Sequence, residues 1–100
     1  MILEVAQLSI KAGQEAEFEA IFPAAAKVIA AARGYIAHEI QRGIESPSRY
    51  VLLVQWQTLE DHTAGFRGSP AFAEWRGHIG KFFESAPVVE HYQAPFHGTR

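Results

Sequence analysis

Apolar and polar residues alternate from the start of the chain. Ala6, Leu8 and Ile10 share one face of an extended segment, and Leu3, Val5, Gln7 and Ser9 share the other. This predicts a strand over residues 2–11, closed by the turn dipeptide Ala12-Gly13. The period then lengthens. Phe18, Ile21, Phe22, Ala25, Ala26 and Ile29 recur at the spacing of one helix face. Glu15, Glu17 and Glu19 stand toward the N-terminal end of that segment and Lys27 and Arg33 toward its C-terminal end, as the helix dipole favours. Gly34 supplies a natural stop. Pro23 falls inside the pattern and removes a backbone hydrogen bond, so a kink or a break is expected there.

Residues 35–42 and 49–57 read as two strands joined by the loop 43–47, an antiparallel hairpin. Thr58 caps the next helix, with Asp61 three residues on as a short-armed capping box. Gly65 and Gly68 end it early. Ser69-Pro70 restarts a helix, serine as N-cap and proline at the first helical position. Its apolar stripe is Phe72, Trp75, Ile79 and Phe82 or Phe83, while Gly77 and Gly80 weaken its end. Residues 88–92 read as a last short strand, and 94–100 as a tail in which Pro95 and Gly98 disfavour a strand. The order β-α-β-β-α-β predicts an α+β, ferredoxin-like fold: one domain over residues 1–93, a four-stranded antiparallel sheet with both helices on one face.

One stretch breaks the alternation. Val51, Leu52, Leu53 and Val54 run without a polar residue between them, and Trp56 follows. Such a run marks a strand buried on both faces. Leu3 and Val5, opposite Ala6 and Leu8, repeat the signal on the first strand. The helices can cover only one face, so the other is expected to pack on a second copy of the chain, giving a homodimer joined sheet to sheet.

Composition narrows the partners further. At 100 residues the chain has a modest core. Yet 12% of it is aromatic, concentrated in the second half, and that surplus of apolar area suits a ligand pocket or a subunit interface. A formal net charge of −2 with no long run of one sign argues against nucleic acid and against a membrane surface. Without cysteine there is no disulfide frame and no thiolate nucleophile or metal ligand. No apolar stretch is long enough to span a membrane, and the first residues do not resemble a signal peptide, so a cytoplasmic location is expected.

His62 is the first catalytic candidate, because it opens the helix after the third strand, and imidazole exchanges protons near neutral pH. The alternative for it is a hydrogen-bonded histidine tying that helix to a loop. His38, in phase with Ile36 and Ile40, is the second candidate, with a core role as its alternative. His91 reads as structural, and His78 and His97 carry no signal. No histidine pair has helical metal-ligand spacing, so no metal is expected. Trp56, Phe66, Phe72, Trp75, Phe82 and Phe83 are placed to wall a slot for a flat ligand or to form the core beneath the helices. Arg49, Arg67 and Arg76 are candidates to hold an anionic oxygen. The glycines at 65 and 68 lack the setting of a phosphate loop.

Several stretches then carry a family resemblance. Trp56-Gln57-Thr58-Leu59-Glu60-Asp61-His62-Thr63, Phe66-Arg67-Gly68-Ser69-Pro70-Ala71-Phe72, Trp75-Arg76 and Val89-Glu90-His91-Tyr92 resemble the antibiotic biosynthesis monooxygenase-like family of dimeric α+β barrels. The start of the chain to Gly13 and the stretch 35–41 fit as well. The resemblance implies two ferredoxin-like subunits joined through their sheets, each with a pocket between sheet and helices. It also implies oxidation of aromatic compounds by dioxygen without metal or flavin, so no cofactor is expected. A haem-degrading branch of the superfamily uses an Asn on the first strand, a Trp after the third strand and a His in the next helix. Here Gln7 takes the Asn position, Gly65 falls near the Trp, and Trp75 or Arg76 falls near the His. The aromatic-polyketide members also place an Asn in the pocket, and this chain contains no Asn at all. Neither mechanism carries over unchanged.

Two functions follow as expectations. One is a cofactor-independent monooxygenase acting on a small aromatic or quinone-like compound, with His62 and His38 as catalytic candidates and Gln7, Trp56, Phe66, Phe72, Trp75 and Arg76 as substrate-binding candidates. The other is a non-catalytic dimeric protein that binds a small molecule or serves a stress response.

Overall fold

The structure, a computed structural model, describes residues 1–96. Its elements follow the expected order: β1 (Ile2–Ser9), α1 (Glu15–Ala30), β2 (Tyr35–Arg42), β3 (Arg49–Trp56), a π-helical turn (Asp61–Phe66), α2 (Pro70–Ile79), a short 3-10 turn (Gly80–Phe82) and β4 (Val88–Tyr92). The strands form one sheet in the order β2-β3-β1-β4, every neighbouring pair antiparallel. This is the ferredoxin-like α+β arrangement. No helix among the described residues is long and apolar enough to cross a membrane.

The core lies between the helices and one face of the sheet. Ala6 and Leu8 from β1, Tyr50, Leu52, Val54 and Trp56 from β3, and Phe18, Phe22, Ala25 and Ile29 from α1 are all buried there, with Trp75 and Ile79 from α2. The rings interlock edge to face, Phe18 meeting Tyr50 at 5.0 Å and Phe82 at 5.9 Å between centroids. The apolar run on β3 therefore divides by strand parity. Leu52 and Val54 enter the core, while Val51 and Leu53 join Leu3 and Val5 on the opposite face and stay half-exposed.

Four details depart from expectation. β1 ends at Ser9, and Ile10 makes only an isolated bridge to Phe83. β3 stops at Trp56, because the Gln57 amide turns to donate to the Gly34 carbonyl at 2.8 Å. α1 runs through Pro23 as one helix. Pro23 is exposed, so its missing hydrogen bond falls where water can replace it, and the buried face of Phe18, Phe22, Ala25 and Ile29 holds the helix in place. On β2, Ile36 is the extra residue of a bulge between Tyr35 and Ala37. The bulge brings Tyr35, rather than Ile36, onto the core side with His38 and Ile40, and leaves Ile36 exposed. Residues 94–96 form no regular element, and the rest of the expected tail, with His97, lies outside the described residues.

Candidate functional site

Glu4 is in phase with Ala6 and Leu8, so β1 carries a carboxylate on its core face. It is 5% exposed. Burying such a group is costly unless its oxygens are bonded. The Trp56 indole donates from Nε1 to Glu4 Oε1 at 3.0 Å, and His62 Nε2 lies 3.4 Å from the same oxygen. Both contacts use Oε1, and among the described residues nothing bonds to Oε2.

His62 comes from the π-helical turn. Thr58 Oγ1 accepts from the Asp61 amide at 3.1 Å, so the expected cap is present, but the turn that follows is wider than an α-helix. The Arg67 amide donates to the His62 carbonyl at 3.0 Å, a bond five residues long. The turn places His62 and Phe66 on one buried side. The His62 ring lies over Trp56 with centroids 5.2 Å apart and planes 19° from parallel. Its Nδ1 is 2.8 Å from Nε2 of His91, which stands directly across from Glu4 in the β1–β4 register. One imidazole thus spans from a buried carboxylate to a half-buried histidine on an edge strand. The ring separates its two neighbours, so these groups form a row; among the described residues no three such side chains are placed to hold a metal ion.

The row sets the protonation states. Burial, with Arg67 and His91 adding positive charge, lowers the His62 pKa from 6.5 to about 4. Burial and Arg67 lower that of His91. Burial raises the Glu4 carboxyl above the usual range, against the opposing pull of the Trp56 hydrogen bond and of Arg67. At neutral pH His62 is an uncharged ring able to donate from one nitrogen and accept at the other.

A cavity of about 190 Å³ opens beside this row, between the sheet, α1, α2 and the segment before β4. Glu4 and His62 line one side of it, Phe66, Phe72 and Trp75 wall it, and Arg67 and Arg76 also border it. Phe66 meets Phe72 at 5.7 Å and Trp75 at 6.3 Å, both nearly perpendicular. Of the expected site residues, the fold gathers His62, Phe66, Phe72, Trp75 and Arg76 around one space. Trp56 lies behind them, fully buried against Glu4 and His62. Two stand elsewhere. Gln7 is exposed on the opposite face of the sheet, because parity sets it out of phase with Glu4 and Ala6. His38 is on the edge strand β2, at the far side of the sheet from β4, with Nδ1 2.5 Å from the Tyr35 hydroxyl and its ring 6.1 Å from Phe22. Two residues were missed as site residues, Glu4 and His91, whereas Arg67, a candidate to hold an anionic oxygen, borders the cavity with Arg76. For Glu4 the signal was present, a charge in phase with the core residues of β1.

The profile of the antibiotic biosynthesis monooxygenase family matches residues 1–77. The chain belongs to that family. A 39% identical protein of Bordetella bronchiseptica, a proposed antibiotic biosynthesis monooxygenase of known structure, superposes with a TM-score of 0.91 over 95% of this chain and 97% of that one. YczJ of Bacillus subtilis (strain 168), an uncharacterised protein, is 47% identical over 93% of this chain and 98% of its own length. SnoaB of Streptomyces nogalater, a cofactor-independent oxygenase, shares the family fold at 21% identity and a TM-score of 0.75, over 94% of this chain and 92% of SnoaB. The family profile spans β1 to α2 and so includes Glu4 and His62, whereas His91 falls beyond it.

Proposed function

We propose that this protein is a cofactor-independent monooxygenase of a small aromatic or quinol-like compound, and that it works as a homodimer. One observation carries the chemistry: the aromatic-walled cavity has a carboxylate–imidazole pair on one side and two guanidinium groups at its border. Its size favours a single-ring compound, since a cavity of about 150 Å³ accommodates benzene. Dioxygen is a triplet and takes one electron at a time, so the substrate must first become an electron-rich anion. In the proposed cycle, the Glu4–His62 pair takes a proton from the substrate. The anion passes an electron to dioxygen, and the radical pair closes to a peroxide anion. That anion takes the proton back and loses water, leaving a new carbonyl. One oxygen atom enters the product, the other leaves as water, and the substrate supplies all the electrons. Arg67 and Arg76 supply the positive charge that stabilises the anionic stages. His38 and Gln7 have no part in this cavity.

The dimer reading rests on the outer sheet face, where Leu3, Val5, Val51 and Leu53 form a half-exposed apolar strip flanked by Val88 and Tyr92, 57% and 52% exposed.

The test is oxygen uptake by the purified protein with a panel of one-ring quinols and an anthrone, with mass spectrometry of products. A product that has gained one oxygen and lost two hydrogens, absent with His62→Ala, supports the reading. No uptake with any member, together with an unaltered small molecule that co-purifies, assigns the protein to ligand binding without turnover.

A further inference from the structure

We propose that Glu4 is the ligand-facing proton acceptor of the cavity, and that His62 and His91 form the path by which its proton exchanges with solvent. The role of Glu4 toward a substrate rests on the function proposed above; the path does not.

The geometry distributes three tasks among three residues. Glu4 lines the cavity; its Oε1 accepts from Trp56 and lies 3.4 Å from His62 Nε2, while among the described residues its Oε2 has no bonded partner and is the oxygen left for a ligand. A ligand filling the cavity would cut this 5% exposed carboxyl off from water on that side. His62 is 3% exposed and has a neighbour at each nitrogen, Glu4 Oε1 at 3.4 Å and His91 Nε2 at 2.8 Å. His91 is half-buried on the edge strand and ends the row toward solvent. Trp56 lies under the His62 ring and bonds Glu4, so it holds both ends of the inner contact in one arrangement.

The row has two matched states. With Glu4 ionised, His62 carries its hydrogen on Nε2, facing the carboxylate, and its Nδ1 accepts from Nε2–H of His91. With Glu4 protonated, the carboxyl donates to Nε2 of His62, whose hydrogen is now on Nδ1 and donated to His91. Passing from the second state to the first releases one proton. A hydrogen taken on the cavity side comes to face His62 when the carboxyl group turns about its Cγ–Cδ bond. That O–H bond then breaks as His62 Nε2–H forms, His62 Nδ1–H breaks as His91 Nε2–H forms, and the hydrogen on His91 Nδ1 goes to water. His62 begins and ends neutral, and only its tautomer changes. A ring this resistant to protonation suits that role, because it conducts a proton without storing one. The charges facing the row are those of Arg67, at the end of the π-helical turn, and of Arg76, from α2 across the cavity. Arg67 favours ionised Glu4.

The experiment follows the imidazole nitrogens and the Glu4 carboxyl carbon by NMR in the intact protein from about pH 4 to about pH 9. His62 is expected to change from the Nδ1–H to the Nε2–H tautomer at the pH where Glu4 ionises. In Glu4→Gln, which keeps an oxygen for the Trp56 hydrogen bond, that change is lost. A His62 ring that keeps one tautomer throughout, or switches in the same way in Glu4→Gln, overturns the path. The acceptor role is read with hydroquinone and dioxygen as probe. Glu4→Gln should lower kcat by ~100-fold or more. His91→Gln should leave KM in place and alter the pH profile of kcat, because the path sets how Glu4 equilibrates with solvent between turnovers. Full turnover in Glu4→Gln alongside loss in His62→Gln would make His62 the acceptor and overturn the assignment to Glu4. A tautomer switch in a protein that oxidises no quinol would retain the path and remove only the oxygenase function.

Discussion

His62 and Glu4 are both buried, and burial moves their pKa values in opposite directions. Their effects on stability therefore oppose one another. His62 titrates at 6.5 when free and at about 4 in the fold, so between those values the unfolded chain binds more protons. Its contribution is complete above about pH 6.5 and is lost as pH falls toward about 4, up to about 3 kcal/mol in all. The lowered pKa of His91 acts in the same direction. The raised pKa of Glu4 acts the other way, removing stability as pH rises from 4.5 through its folded value. With two histidines against one carboxyl, urea denaturation should show a net loss of stability on acidification from neutral pH. His62→Gln should flatten that loss; an unchanged slope in the variant would place its origin elsewhere. His62 was legible as a candidate from its position after the third strand. Glu4 was overlooked because its neighbours Val5 and Leu3 made the strand appear apolar on both faces, and its partners Trp56 and His62 are more than fifty residues away.

At the scale of elements, the π-helical turn positions the site, and the chain enters it through a tight contact. Gly34, at φ +84°, ends the α1–β2 connection beside Asp61, the first residue of the turn. A methyl group on Gly34 would lie 2.1 Å from Asp61 Oδ2 and 2.7 Å from its Cβ. Gly13 shares the left-handed conformation, at φ +87°, but a methyl group there meets nothing. Gly13→Ala should therefore cost only the backbone term, ~1 kcal/mol. Gly34→Ala should cost at least ~2 kcal/mol, because the start of the turn must also move. Denaturation midpoints of the two variants test the difference, and equal losses would mean that Asp61 yields freely. The sequence marks the same place with Gly34, Thr58 and the closely spaced Gly65 and Gly68. It does not distinguish a π turn from an α-helix, since one extra residue in a six-residue turn leaves the local pattern of apolar positions almost unchanged.

For the whole molecule, the outer sheet face determines the proposed assembly. Strand parity selects Leu53 for that face and sends Val54 into the core, where it is fully buried. Leu53→Glu should yield a folded monomer by size-exclusion chromatography at micromolar concentration, while Val54→Glu should destabilise the fold itself. A monomeric wild-type protein under the same conditions would remove the dimer. The sequence by itself determined the element order, the sheet's two apolar faces and the aromatic stock of the cavity, because strand and helix periods are local and repeat every few residues. Tertiary structure alone decided which polar groups meet. β1 lies between β3 and β4, so Glu4 is brought against Trp56 on one side and His91 on the other, and the turn after β3 folds His62 over the pair. No local pattern encodes that meeting, because it depends on strand order and register, which pair residues far apart in the chain.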